Sequence, residues 1–147
     1  MFRHPAADAS LGIVSFYSIP FEGDTEFFGR IRWHAHVRSD CEDTCFFMRV
    51  YLVENGESYN LTETLSTLRH VKKDYHPGET LTLDLLTTPI SFTVKRGCAL
   101  RVDVSSDSTI YSPHANVSGH WAEVTETRIA HNTLLLNEEG FIELPVR

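Results

Sequence analysis

Apolar and polar residues alternate with a period of two over most of this 147-residue chain. The alternation is strictest in residues 77–107. Leu81, Leu83 and Leu85 alternate with Thr80, Thr82 and Asp84. Ile90, Phe92 and Val94 alternate with Ser91, Thr93 and Lys95, and Leu100, Val102 and Val104 with Arg101, Asp103 and Ser105. Successive side chains of an extended strand point to opposite faces, so the pattern predicts three half-buried strands in a row. Pro77-Gly78, Thr87-Thr88-Pro89 and Lys95-Arg96-Gly97 punctuate the runs with turn formers.

The same reading extends along the rest of the chain. Residues 1–12 show no period and are expected to be an irregular lead-in. A strand follows at 13–18, closed by Pro20 and Glu22-Gly23-Asp24. Residues 26–38 form the longest alternating run, expected to be one strand. Ile31, Trp33, Ala35 and Val37 occupy its apolar face; Arg30, Arg32, His34, His36 and Arg38 occupy the other. Residues 45–53 are apolar on both faces, as in a central strand. Asn55-Gly56-Glu57 is a hairpin turn signal. Residues 61–70 read as a strand, although Leu65 and Leu68 also fit one turn of helix. A turn-rich loop at 105–119 precedes closing strands at 120–129, 131–136 and 140–146, the last two joined through Asn137-Glu138-Glu139-Gly140. No long amphipathic helix emerges. Short strands with regular turn signals predict an all-β sandwich or barrel.

Composition narrows the function classes. The length supports one domain, residues 1–147, with a core of its own. A net charge of -7 argues against a nucleic-acid partner. No window approaches a membrane span, so no membrane role is expected. The first residues lack the apolar core of a signal peptide, and the expected setting is the cytoplasm. Three cysteines are an odd number and read as reduced thiols rather than a disulfide framework. Cys41 and Cys45 alone fall short of the paired ligands of a zinc site. Asn60-Leu61-Thr62 and Asn116-Val117-Ser118 match the glycosylation sequon, a pattern common by chance. No cofactor is expected.

Several residues are candidates for chemistry. His34 and His36 share a strand face, as a metal-binding pair would, but three arginines on that face oppose a dication. The stripe of Arg30, Arg32, His34, His36 and Arg38 reads better as a solvated or partner-facing surface. No G-x-S-x-G elbow and no strand-turn-helix unit carries a nucleophile, so no catalytic residue is assigned. Trp121, with Tyr111, His114 and His120 nearby, is a candidate ligand site of the kind a carbohydrate-binding module uses, against the competing reading of Trp121 as packing.

A second pattern runs through the chain in order. It comprises the segment from Phe16 to Phe21, then Gly29, Ser39-Asp40 and Asp43-Thr44-Cys45-Phe46, then Leu61-Thr62 and Leu68-Arg69. Next come Pro89, Phe92, Gly97 and Leu100-Arg101, ending in Ser105-Ser106. Asn116-Val117-Ser118-Gly119, Ile129-Ala130-His131 and Leu144-Pro145-Val146 complete it. In this order and spacing the chain resembles the C-terminal non-catalytic domain of the X-Pro dipeptidyl-peptidase and cocaine-esterase (CocE/NonD) serine hydrolases. Cys98 stands where that family usually has His. The resemblance implies a jelly-roll β-sandwich, galactose-binding-domain-like, without catalytic residues of its own. It implies an α/β-hydrolase catalytic domain as partner, in cis or in trans, whose acyl or peptidyl substrate cleft this domain helps to shape. A free-standing carbohydrate-binding module at Trp121 and a cupin-like metal protein at His34 and His36 remain as alternatives. Self-association into a homo-oligomer is also left open.

Overall fold

Alternation turns into extended chain across most of the sequence. In a computed structural model, which describes residues 2–3, 12–106 and 128–147, the strands are β1 (Phe2–Arg3), β2 (Ile13–Ser18), β3 (Thr25–Gly29), β4 (Arg32–Ser39), β5 (Cys45–Glu54) and β6 (Glu57–Thr67). One helical turn, α1 (Leu68–Val71), follows. The later strands are β7 (Leu81–Leu86), β8 (Ile90–Val94), β9 (Ala99–Ser105), β10 (Asn132–Leu135) and β11 (Phe141–Glu143). The expected strand at 120–129 falls largely outside the described residues.

One antiparallel sheet has the order β1-β2-β9-β5-β6. In the second, β4 is central. β7 pairs along one edge, from Arg32↔Leu86 to Val37↔Leu81, and β10 and β11 follow one another along the other. β3 and β8 form a two-stranded ribbon. The three strictly alternating strands β7, β8 and β9 thus exist as expected, yet each belongs to a different pairing.

Packing between the layers follows the parity of the sequence. Ile31, Trp33, Ala35 and Val37 are 0–4% exposed. They share one core with Phe46, Met48 and Val50 of β5, with Leu100, Val102 and Val104 of β9, and with Leu83 and Val94. The architecture is a multi-sheet, all-β sandwich whose apolar faces exclude water from the space between the sheets.

Four expectations are corrected. First, residues 26–38 are not one strand. The run breaks after Gly29, whose φ of +139° favours glycine. The partner run breaks opposite it at Thr87-Thr88-Pro89. Ile31 N–H donates to Thr87 Oγ1 and Thr87 N–H donates to Ile31 C=O, both at 3.0 Å. Arg30 Nη1 donates to the Thr87 carbonyl at 3.0 Å. Two long runs therefore bend together, and their backbone groups stay bonded through the bend. Second, residues 61–70 do not stay extended. Thr67 ends β6, and its side chain accepts from His70 N–H at 3.2 Å, capping α1. Third, Phe2–Arg3 add two pairs to the edge of β2 within the expected irregular lead-in; two residues are too few for a period to show. Fourth, Asp103 and Ser105, expected on the exposed face of β9, are only 4% and 6% exposed; side chains on that face cover them, Arg101 and Ser15 by bonds to the Asp103 carboxylate.

The Asn55-Gly56 signal is met by a two-residue turn with φ of 53° and 82°, the left-handed pair that matches the twist of a hairpin.

A Cβ placed on Gly29 would lie 3.0 Å from Pro145 Cβ, so a side chain there meets both backbone strain and a neighbour. Gly29→Ala is expected to cost about 1–3 kcal/mol of unfolding free energy. Gly23, with nothing within 4 Å and no positive φ, serves as control, and Gly23→Ala should stay within about 0.5 kcal/mol. Denaturant titration of both variants checks the contrast.

Candidate functional site

The outward positions of β4 carry Arg32, His34, His36 and Arg38, while Arg30 sits at the bend. Cross-strand register decides what they meet. His34 faces Asp84 and His36 faces Thr82 on β7, and His34 faces Phe141 on β11. Arg32 grips Asp84 with two parallel bonds, Nε to Oδ1 at 2.7 Å and Nη2 to Oδ2 at 2.6 Å, a fork geometry that fits a carboxylate. Glu143 lies 3.9 Å from Arg32 Nη1. The Arg32 guanidinium is also 5.5 Å from the Phe141 ring centre. His34 stacks on Phe141 with centroids 5.0 Å apart and planes 7° from parallel. His36 Nδ1 is 3.1 Å from Thr82 Oγ1, and its Nε2 is 3.1 Å from Glu139.

Within the stripe, Arg32 is therefore charge-matched inside its own sheet. The Arg32 bond holds the Asp84 carboxyl below its usual range, and Asp84 in turn raises Arg32. Arg38 points to solvent. Between the paired charges stand exposed apolar side chains: Leu86, Phe141 and, in the adjoining loop, Leu136. Arginine and aromatic residues together with aliphatic ones characterise the cores of protein interfaces.

Other candidates fare differently. His34 and His36 meet edge to face at 5.6 Å. Among the described residues no group of three or more His, Cys, Asp or Glu is arranged to hold a metal ion. Trp121, Tyr111, His114 and His120 lie outside the described residues. Cys41, Cys45 and Cys98 are buried free thiols. Burial, followed by the Asp43 charge, pushes the Cys45 thiol up to about 12, the opposite of an activated nucleophile. Burial also raises Cys41, although Arg128 Nε lies 3.1 Å from its sulfur and works against the shift.

A polar network on the outer face of the five-stranded sheet escaped sequence reasoning. Arg101 donates to both Asp103 oxygens, at 2.7 and 2.6 Å. Ser15 Oγ donates to Asp103 Oδ1 at 2.6 Å. Arg101 lies over Tyr17 and Tyr51, 5.8 and 5.3 Å from their centres, and Arg49 bonds Glu63 at 3.1 Å. The spacing of Arg101 and Asp103, two apart on one strand, was a visible hint. Ser15, Tyr17 and Tyr51 enter only through the pairing of β9 with β2 and β5. These groups satisfy one another, so the network secures the sheet rather than offering a reactive centre. At the end of β4, His131 donates its backbone N–H to Asp40 at 2.8 Å, and its ring Nδ1 approaches the same carboxyl at 2.8 Å.

Comparison with known proteins bears on the family and the fold. Residues 4–140 match the family described as the X-Pro dipeptidyl-peptidase C-terminal non-catalytic domain. Among sequences of curated proteins nothing matches. Of solved structures, an α-amino acid ester hydrolase labelled with selenomethionine superposes with a TM-score of 0.81 at 14% identity, over 98% of this chain and 27% of that one. A CocE/NonD family hydrolase from Staphylococcus aureus gives 0.70 at 15% identity, over 92% and 30%. An aminopeptidase from the marine sediment archaeon Thaumarchaeota archaeon gives 0.62 at 14% identity, over 67% and 18%. At such identities the likeness is one of fold. The chain spans less than a third of the length of each of these proteins.

Two outcomes follow from the geometry. Asp103→Ala strands a partly buried guanidinium and a hydroxyl without their acceptor, and is expected to cost about 1–3 kcal/mol in thermal or denaturant unfolding. Asp40, hydrogen-bonded first by the His131 ring and then by its backbone N–H, titrates at about 2 instead of 3.8. A depressed carboxyl supports the fold above its unfolded value and loses that support as pH falls toward 2. Carbon-13 NMR of the Asp40 carboxyl should show the low midpoint, and His131→Ala should move it up toward 3.8.

Proposed function

Because the chain belongs to the X-Pro dipeptidyl-peptidase C-terminal non-catalytic domain family, we propose that it is the accessory β-sandwich of a serine hydrolase. In this reading it packs on an α/β-hydrolase domain, in cis or in trans, and forms part of the wall of a cleft for acyl or peptidyl substrates. The observation that carries the reading is the family match over residues 4–140. The share of each hydrolase that this chain resembles, 27% and 30%, is the size expected of one domain beside a larger catalytic one. The jelly-roll, galactose-binding-like assignment is part of the same proposal, supported by the sandwich of sheets and by TM-scores of 0.70 and 0.81.

The outer face of β4 is the surface we assign to the partner. The Arg32 charge at its centre is already paired within the sheet, so little isolated charge has to be stripped of water there on docking. Leu86 and Phe141 supply apolar area, and Arg38 a charge at the rim. The buried, unpaired thiols support a reducing setting such as the cytoplasm.

The purified chain is expected to hydrolyse neither activated esters nor X-Pro amides above the buffer rate. Turnover that co-elutes with the chain through repeated purification would overturn the reading. In the assembled hydrolase, Leu86→Asp combined with Arg38→Glu should weaken domain association at least about tenfold, the scale of one lost interface anchor. The melting temperature of the isolated domain should stay unchanged, and unaltered association would remove this face from consideration.

A further inference from the structure

We propose that, independently of its accessory role, the sandwich binds a small uncharged amide with an apolar body in the cleft where β2 faces β10 and β11. Topology leaves this edge open. β6 and β7 are edge strands of their sheets, and side-chain hydroxyls tie them together. Thr64 Oγ1 donates to the Leu86 carbonyl at 3.1 Å, and the Thr62 and Thr88 hydroxyls lie 3.4 Å apart. At the other edge β1 pairs only with Tyr17 and Ser18 of β2. There a cleft of about 400 Å3 reaches in to Phe16 of β2 and to Trp33 and Ala35 of β4, a volume within the range of small-molecule sites.

An interruption in strand pairing builds one wall. Leu135 pairs with His36 and Phe141 with His34. One residue separates the two histidines on β4, whereas five separate Leu135 from Phe141. β10 and β11 are thus one strand along β4, broken by an excursion at residues 136–140. Irregularities at sheet edges re-aim side chains. Here the excursion sets Leu136, Asn137 and Glu138 along the cleft. Asn137 holds the turn, because Gly140 N–H donates to its backbone carbonyl at 3.3 Å and to its Oδ1 at 3.0 Å.

Two groups define the chemistry of the occupant. Trp33 is only 3% exposed. Its indole N–H makes no hydrogen bond with any described residue, and it is not sealed off in the core either. A tryptophan buried to this degree normally gives that donor an acceptor. Trp33 lines the cleft, so the donor is left for a ligand, and a carbonyl oxygen suits it. Glu138 is the second group. It brings a carboxylate to the cleft, and among the described residues no lysine or arginine lines it. An anion is therefore repelled, whereas an N–H donor suits the carboxylate. Phe16, Leu134 and Ile142 supply apolar wall. An amide with a hydrocarbon body meets all three demands.

The test titrates the purified chain at neutral pH with benzamide, toluene and benzoate, and follows the indole N–H signals by nitrogen-15 NMR. The chain holds two tryptophans, Trp33 and Trp121, and loss of one signal in Trp33→Phe identifies that of Trp33. Benzamide should shift this signal saturably. It should bind about two- to tenfold tighter than toluene, which has neither acceptor nor donor, the range of one hydrogen bond. Benzoate, close to benzamide in shape but anionic, should bind more weakly than benzamide, and Glu138→Gln should narrow that gap. Should Trp33→Phe fail to fold, Trp121→Phe makes the same assignment by elimination, and the three probes are compared in the unaltered chain in either case. No saturable shift of the Trp33 signal with benzamide, or toluene or benzoate binding as tightly as benzamide, would overturn the proposal.

Discussion

The structure depends on a bend that two strands take together. Residues 25–39 and 81–94 are paired almost throughout, from Thr25↔Val94 to Val37↔Leu81. Where both turn, Ile31 and Thr87 exchange backbone and side-chain hydrogen bonds. A backbone group left unpaired at such a corner would cost about as much as a lost hydrogen bond. The reciprocal bonds remove that cost. Gly29 supplies the φ that the corner needs, and Pro145 fills the space where its side chain would be. With the corner fixed, the apolar face of β4 lies over β5 and β9, and Trp33 and Val37 become core.

The same geometry determines what the outer surface can do. Because β4 is flanked by β7 on one side and β11 on the other, its arginine and histidines meet Asp84, Glu139 and Glu143 rather than water alone. A stripe that looks cationic in sequence is, in three dimensions, a mosaic of paired charge with apolar side chains between. The opposite outer face, with Arg101, Asp103 and Ser15, is locked by its own bonds, and the family membership of the chain agrees with a scaffold rather than a reaction centre.

Much of this was legible one residue at a time. The parity of 31, 33, 35 and 37 identified the buried face of β4, and Asn55-Gly56 identified a hairpin, because both signals are local. The bend was not legible, since Gly29 looks like any glycine in a strand until Pro145 and Thr87 are brought to it from distant positions. Nor was the partnering of His36: Glu139 lies about a hundred residues away, and only the insertion between β10 and β11 presents it. Asp103 read as a solvent-facing residue by alternation. Its burial arises because Arg101 on its own strand and Ser15 on β2 close over its carboxylate. Local periodicity reports which face a residue takes, whereas the partner on that face is a property of topology.

The account makes the chain one part of a hydrolase, and the native protein in its source cells is where that can be read most directly. Cells would be labelled with a fluorophosphonate probe that marks active serine hydrolases. Material bearing this sequence would then be captured with an antibody against it and examined by mass spectrometry. The account predicts that its peptides are recovered in a labelled polypeptide, or in a complex that contains one. Recovery of the chain free of any labelled hydrolase would contradict it.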